Sequence, residues 1–457
     1  MLQIVRREAG DIDSYSKSSD RKVLMRYFRC PDKFFFLPMP GDKKKVVVLK
    51  PYSNESNMKQ KKFLFLLFLS FLAGGRLMAA GDADVPSEVR QLTDSLKQVY
   101  ASDGRVALFD VDCAVADKNV MLRGVTTSAQ ARDALLHELS ALGYRCMDCL
   151  RVLPDTLELG EETFGILDLS VANLHRSPDF ASEMVTQGLL GMPVRVLQHD
   201  GWYRIQTPDR YIAWVHPAAV HRVTRSGLED WNRAEKIVVT AHYGFVYTRP
   251  DEGAQTVSDV VAGNRLKWEG TKGAFYHVSY PDGRTGYIRK SIARPETEWR
   301  RSLKTDAASL IATAYTLMGV PYLWAGTSSK GVDCSGFVRT VLFMHDMIIP
   351  RDASQQARVG QRIDIAPEFA NLQPGDLVFF GRKGTADRPD RVVHVAIYIG
   401  NKRFIHSQGD VHVSSFNPAD PAFDEFNLNR LLFATRILPY IGRQPALDTT
   451  ASNDFYQ

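Results

Sequence analysis

The spacing of apolar residues divides the chain into three kinds of territory. Between 84 and 160, Val89, Leu92, Leu96 and Val99 fall on one stripe of a helix over Ser87–Tyr100. Val106–Val115 and Val120–Val125 alternate like strands, Ala129–Leu142 returns to helical spacing, and Tyr144–Leu153 reads as a strand, so a small α+β unit is predicted. From 163 to 295 the pattern changes to short alternating runs punctuated by Gly, Pro and Asp, as in small antiparallel barrels. Trp202-Tyr203 and Pro208-Asp209 recur as Phe275-Tyr276 and Pro281-Asp282, 73 residues on, and Leu174 and Pro178 recur as Val246 and Pro250, 72 residues on. Two copies are too few for a solenoid. The expectation is two tandem barrels, 163–223 and 236–295, joined by the helix-prone stretch Ser226–Glu235, with most of their Trp and Tyr residues in the barrel cores. From 303 to 440 helices come first and alternating strands follow.

Composition narrows this picture. With 457 residues, 44% apolar and 24% charged, the chain is long enough for two to four domains at roughly 150 residues each. Only 5 cysteines exclude a disulfide-stapled miniature fold. The net charge of +5 is an effect of the leader: residues 1–57 hold 12 basic and 7 acidic residues, and 58–80 hold 4 and none. Residues 81–457 carry 41 basic against 45 acidic, which removes the electrostatic footprint of a nucleic-acid partner.

Residues 58–80 read as an export signal. Lys59, Lys61 and Lys62 precede the apolar run Phe63–Leu72, and Ala79-Ala80-Gly81 offers a cleavage site. The run is short of the ~20 residues that span a bilayer, and Arg76 follows it closely. A cleaved signal is therefore expected, with no stable membrane anchor afterwards and a periplasmic or extracellular destination. Because such signals begin chains, Met58 is expected to be the true start and 1–57 an over-called extension.

The chemistry gathers near the C-terminal end. Loop-forming residues lead into Asp333-Cys334-Ser335-Gly336-Phe337, followed by a helical stripe through Phe337, Val341 and Met344. This places Cys334 in a first turn, where free amide hydrogens and the helix dipole favour thiolate. A base is available in the alternating run Val392–Ser407, which carries His394 and His406 symmetrically about Gly400. If the hairpin register centres on residue 400, the two histidines stand opposite each other, one as base and the other orienting it. A slip of one residue would send them to opposite faces. Cys146-x-x-Cys149, with Cys113 nearby, has no second ligand pair for zinc and lies in an extended stretch, so a structural disulfide or buried thiols are the reading there.

These residues, in order, carry a resemblance. Pro321-Tyr322-x-Trp324-x-Gly326, Asp333-Cys334-Ser335-Gly336-Phe337, Pro350-Arg351 with Gln356, Pro374-Gly375-Asp376-Leu377 and His394-Val-Ala-Ile-Tyr-Ile-Gly400 resemble the NlpC-type cell-wall cysteine peptidases over about 140 residues. With two barrels ahead that resemble bacterial SH3-like modules, the chain is similar to the dipeptidyl-peptidase VI branch. The resemblance implies an α+β architecture with a papain-like peptidase domain at 303–440, two SH3-like barrels and a small α+β unit before them. It implies a peptidase acting on peptidoglycan stem peptides or muropeptides, cutting the γ-D-glutamyl to diamino acid bond where the N-terminal L-Ala is free, without cofactor or metal. Cys334 would be the nucleophile, His394 the base, His406 its orienting partner, and Tyr322 a hydroxyl near the oxyanion. Asp333 and Ser335 would grip the free amine, helped by Glu183 and Tyr211 from the first barrel, while Trp324 walls the cleft. Arg351 would either order the loop after the catalytic helix or bind substrate, and Asp352-Ala353 replaces the family's frequent Thr-Ser. The other readings are a non-catalytic wall-binding protein, an amidase and an interpeptide-bridge hydrolase.

Overall fold

The computed structural model describes residues 85–385 and 387–457; the extension 1–57 and the signal 58–80 lie outside them. The N-terminal unit is a three-stranded sheet, ordered Phe109–Ala116, Asn119–Thr126, Arg145–Val152, with the helices Ser87–Tyr100 and Ala129–Ala141. The first two strands pair antiparallel and the third runs parallel to the second, so the second helix is the crossover that parallel pairing demands. Ser128 caps that helix by accepting the Ala131 amide hydrogen, and its Leu135 and Leu139 are buried with Phe109 and Leu122. Cys146 and Cys149 are three apart on one strand and so face opposite sides of the sheet, which rules out a two-cysteine loop gripping one metal or closing one disulfide.

The two central units are antiparallel sheets of the same design. The first is ordered Val220–Val223, Phe164–Leu167, Pro193–Asp200, Trp202–Gln206, Ile212–Val215, Val171–His175, Met184–Leu189. The second is ordered Ala293–Pro295, Lys236–Val239, Arg265–Lys272, Phe275–Ser279, Thr285–Arg289, Tyr243–Tyr247, Thr256–Val261. Numbered within each unit, the seven strands follow one order, which is the structural form of the sequence repeat. The helix Arg225–Arg233, capped by Thr224, bridges them and buries Leu228 and Trp231 against Ile166.

The C-terminal unit packs helices Ala307–Thr316 and Cys334–Phe343 on a six-stranded antiparallel sheet. Its order is Gln361–Ile363, Leu431–Arg436, Leu377–Arg382, Arg391–Gly400, Arg403–Gln408, Asp410–Ser415. Phe337, Val338 and Val341 on the second helix are buried with Phe379, Val395 and Ile405 of the sheet. Among the described residues no helix is long and apolar enough to cross a membrane.

The units are not beads on a string. Leu108, Val125 and Leu153 of the N-terminal unit form one buried cluster with Leu197 and Ile212 of the first barrel. The Gln187 side chain, on the first barrel, accepts the Thr327 amide hydrogen at 2.9 Å and the Ser328 hydroxyl at 3.2 Å. Asp209 pairs with Arg339 of the catalytic helix at 3.1 Å. Past residue 440 the chain folds back: Asp448–Thr449 pairs with Met347–Ile348, and Asp454 holds both Arg195 and Arg210 of the first barrel.

Candidate active site

Cys334 opens the helix Cys334–Phe343, and the Asp333 side chain caps that helix by accepting the Gly336 amide hydrogen at 2.7 Å. Gly336 has to be glycine: a Cβ there would lie 1.9 Å from the Gly326 carbonyl oxygen. That close approach fixes the loop carrying Tyr322 and Trp324 against the first turn of the helix. The sulfur is buried, and the amide hydrogens of Val395 and Ser335 favour its charged form.

The thiolate expectation is corrected. Burial, followed by the charge of Asp333, pushes the Cys334 thiol up to about 12, outweighing those amides and Arg351. His394 is driven the opposite way, down to about 3, by burial and then by Arg430 and His412. Both shifts disfavour the charged forms, so a neutral thiol and a neutral imidazole are favoured at rest.

The histidine pair is present, though not in the predicted register. Asn401 and Lys402 both take positive φ and make a two-residue turn, closed by Gly400 opposite Arg403. An irregularity between Tyr398 and Gly400 then sets Tyr398 opposite Phe404 and Ile397 opposite Ile405. Continuing that register puts His406 opposite Ala396, so the two histidines are diagonal neighbours. A displacement by two residues keeps both on one face, where a slip by one would not. His394 Nε2 lies 2.8 Å from His406 Nδ1, and His406 Nε2 lies 3.1 Å from Ser414 Oγ. If Nδ1 of His394 is to take a proton, Nε2 carries the hydrogen and donates it to His406 Nδ1, and His406 in turn donates from Nε2 to Ser414.

Ser414 and the ring of His412, 4.5 Å from that of His406, were not singled out from the sequence. The signal was present: His412 pairs with His406 across the next hairpin, and Ser414 is two residues further on the same face.

Tyr322 is half-buried near the sulfur, and burial followed by the charges of Cys334 and Asp333 raises its hydroxyl to about 12, so it remains a donor. Asp333 and Ser335, expected to grip an amine, are both held by Arg351. Arg351, 1% exposed, donates to Asp333 Oδ2 at 2.6 Å, to Asp333 Oδ1 at 3.2 Å, to Ser335 Oγ at 2.8 Å and to Thr186 Oγ1 of the first barrel at 3.0 Å. Arg351 is thus a buried strut between the helix cap and the barrel, which settles its role in favour of ordering the loop. Glu183 accepts from the indole N–H of Trp324 at 3.1 Å and pairs with Arg176 at 2.6 Å, tying the tip of the first barrel to the exposed Trp324. Tyr211 is buried with its hydroxyl 3.5 Å from Asp352 Oδ2. Asp352 stands where the resemblance left contacts open, and it is the carboxylate that meets Tyr211.

A cysteine opening a helix, packed on an antiparallel sheet that presents a paired histidine base, defines a papain-like thiol hydrolase. The sequence matches the NlpC/P60 family over residues 319–426 and the bacterial dipeptidyl-peptidase Sh3 domain over 174–220. It is 33% identical over 242 residues to a γ-D-glutamyl-L-lysine dipeptidyl-peptidase of Bacillus cereus, covering 50% of this chain and 68% of that one. It is 25% identical over 267 residues to dipeptidyl-peptidase 6 of Lysinibacillus sphaericus, covering 55% and 92%. A solved NlpC/P60 family protein from Bacillus cereus superposes with a TM-score of 0.51 at 26% identity, covering 60% of this chain and all of that one. The chain belongs to the NlpC/P60 family and is a cysteine peptidase acting on peptidoglycan peptides.

Proposed function

We infer that this peptidase cuts the γ-D-glutamyl to diamino acid bond of stem peptides whose N-terminal L-Ala is free. The observation that carries the reading is the closure of one end of the site by the first barrel, where Tyr211 meets Asp352 and Glu183 meets Trp324. Carboxylates walled in by a barrel suit an ammonium group. An N-acylated terminus carries no positive charge for these carboxylates to meet. The relatives named as dipeptidyl-peptidases support the same bond.

In this mechanism Cys334 attacks the γ-carbonyl carbon while its proton passes to Nδ1 of His394. The amide hydrogen of Cys334 and the Tyr322 hydroxyl receive the charge that develops on the carbonyl oxygen. His394 then protonates the departing amine, leaving a thioester; it afterwards accepts a proton from the attacking water and returns it to the Cys334 sulfur as the C–S bond breaks and the acid product leaves. His406 and Ser414 keep the base in the tautomer these steps need. Fragments with a free L-Ala are products of earlier wall cleavage, so the enzyme is placed in wall turnover or recycling, outside the cytoplasm if residues 58–80 direct export.

The test is hydrolysis of L-Ala-γ-D-Glu-diaminopimelate with free and with N-acetylated alanine, by the parent and by Cys334→Ala. Cleavage of the free-amine peptide alone, abolished in Cys334→Ala, is the expected result. Equal cleavage of both peptides overturns the specificity, and binding without cleavage favours a wall-binding role.

A further inference from the structure

The N-terminal unit reaches the barrel-walled end of the site through one loop. Arg105 donates from Nε and Nη2 to the two oxygens of Asp103, at 2.7 and 2.6 Å. Its remaining nitrogen, Nη1, crosses to the catalytic unit and donates to Asp352 Oδ2 at 2.7 Å and Ser354 Oγ at 3.0 Å. Gln355 returns the contact by donating to Asp103 Oδ2 at 3.1 Å and accepting the Asp352 amide hydrogen at 3.1 Å. Asp103, Arg105, Asp352 and Gln355 thus close a ring of hydrogen bonds across two units. The loop itself is held by the first barrel: Ile212 donates its amide hydrogen to the Arg105 carbonyl at 2.7 Å, and Gln206 donates to the Val106 carbonyl at 3.0 Å.

We propose that the N-terminal unit is a working part of the substrate site, and that Arg105 is the residue positioning Asp352 at its amine end. This rests on the free-amine reading above. Asp352 stands between two cations, with Oδ2 on Arg105 and Oδ1 4.0 Å from Arg351. Without Arg105, the nearest cation left to Asp352 is Arg351, whose guanidinium is committed to Asp333 and Ser335 at the head of the catalytic helix. Asp352 would then turn away from Tyr211 and compete for the strut that holds Cys334's helix cap. With Arg105 in place the charges alternate as Asp103, Arg105, Asp352, Arg351, Asp333. Three carboxylates against two guanidiniums leave one negative charge, beside the Tyr211 hydroxyl, for a substrate ammonium to balance. The geometry is bidentate and shared among partners, unlike the isolated exposed ion pairs that contribute little.

The experiment uses the full chain and four proteins besides the parent: Arg105→Met, Arg105→Lys, Asp352→Asn and the Arg105→Met/Asp352→Asn double variant. Each is assayed on L-Ala-γ-D-Glu-diaminopimelate with free and N-acetylated alanine, with a thermal melt as the folding control. Arg105→Met is expected to raise KM for the free-amine peptide about tenfold with kcat within about twofold of the parent, and to reduce the preference over the acetylated peptide by a similar factor. Arg105→Lys recovers part of the loss, and the double variant is no worse than Asp352→Asn, because the arginine acts through that carboxylate. Parental KM and preference in a folded Arg105→Met protein would overturn the proposal, as would fully additive losses in the double variant. If Arg105→Met does not fold, parental KM in both Arg105→Lys and Asp352→Asn overturns it. A parent that shows no preference for the free amine sinks the functional reading itself, and this proposal with it.

Discussion

His394 and His406 are diagonal neighbours across their hairpin, yet their ring nitrogens meet at 2.8 Å. The diagonal places Nδ1 of His406 to receive the Nε2 hydrogen of His394, and the line continues into Ser414. His406→Ala is expected to lower kcat by on the order of 10²-fold with a small change in KM, while His394→Ala removes turnover. Steady-state kinetics on the free-amine peptide distinguish the two roles. An unchanged kcat in His406→Ala would end the orienting assignment.

A neutral resting pair shapes the pH profile. Burial lowers His394 to about 3 and raises the Cys334 thiol to about 12, so the productive protonation states persist across the neutral range. The acid limb of kcat/KM is expected well below 6.5, and iodoacetamide should alkylate Cys334 at pH 7 more slowly than a free cysteine. Rapid alkylation with an acid limb at 6.5 would mean a resting thiolate.

The same burial makes stability depend on pH. His394 and His406 are held down to about 3 and about 2, chiefly by burial, against an ordinary value near 6.5. Between these values the unfolded chain binds protons that the folded chain refuses, so unfolding free energy rises with pH there. The stabilisation is complete above 6.5 and is lost progressively as pH falls below it. Urea midpoints at pH 7.5 and 5.0 should show the drop, and His406→Gln should reduce it.

Arg351 is a buried charge with bidentate partners. Arg351→Met leaves Asp333 buried and unpaired and is expected to cost about 3–5 kcal/mol of stability. Arg351→Lys should not rescue it fully, because an ammonium cannot reproduce the fork that reaches Asp333, Ser335 and Thr186. Denaturant unfolding of both variants measures this.

The export reading of residues 58–80 makes a separate prediction. Intact mass of the mature protein recovered outside the cytoplasm should place its N-terminus near Gly81, and no peptide from 1–57 should be found.

Legibility followed the range of each interaction. The repeat was readable because strand alternation and Pro-Asp turns are local, and the two units do share one strand order. The histidine pair was readable to the correct face but not the correct register, because the irregularity beside Gly400 leaves no mark in a two-residue period. Nothing local shows that Arg351, eighteen residues on, folds back onto Asp333. Asp352 and Arg105 are 247 residues apart in the chain, and their contact depends on the docking of three units.

The fold-back of residues 453–457 sets a timetable for the enzyme. Asn453 donates to the Pro208 carbonyl, and Asp454 holds Arg195 and Arg210, so the loop leading to Tyr211 is braced by residues 453 and 454. A nascent chain can complete its barrels on the way out, but this loop stays unbraced until Asn453, 245 residues after Pro208, has emerged. Full competence of the site thereby waits on residues far downstream of the barrels.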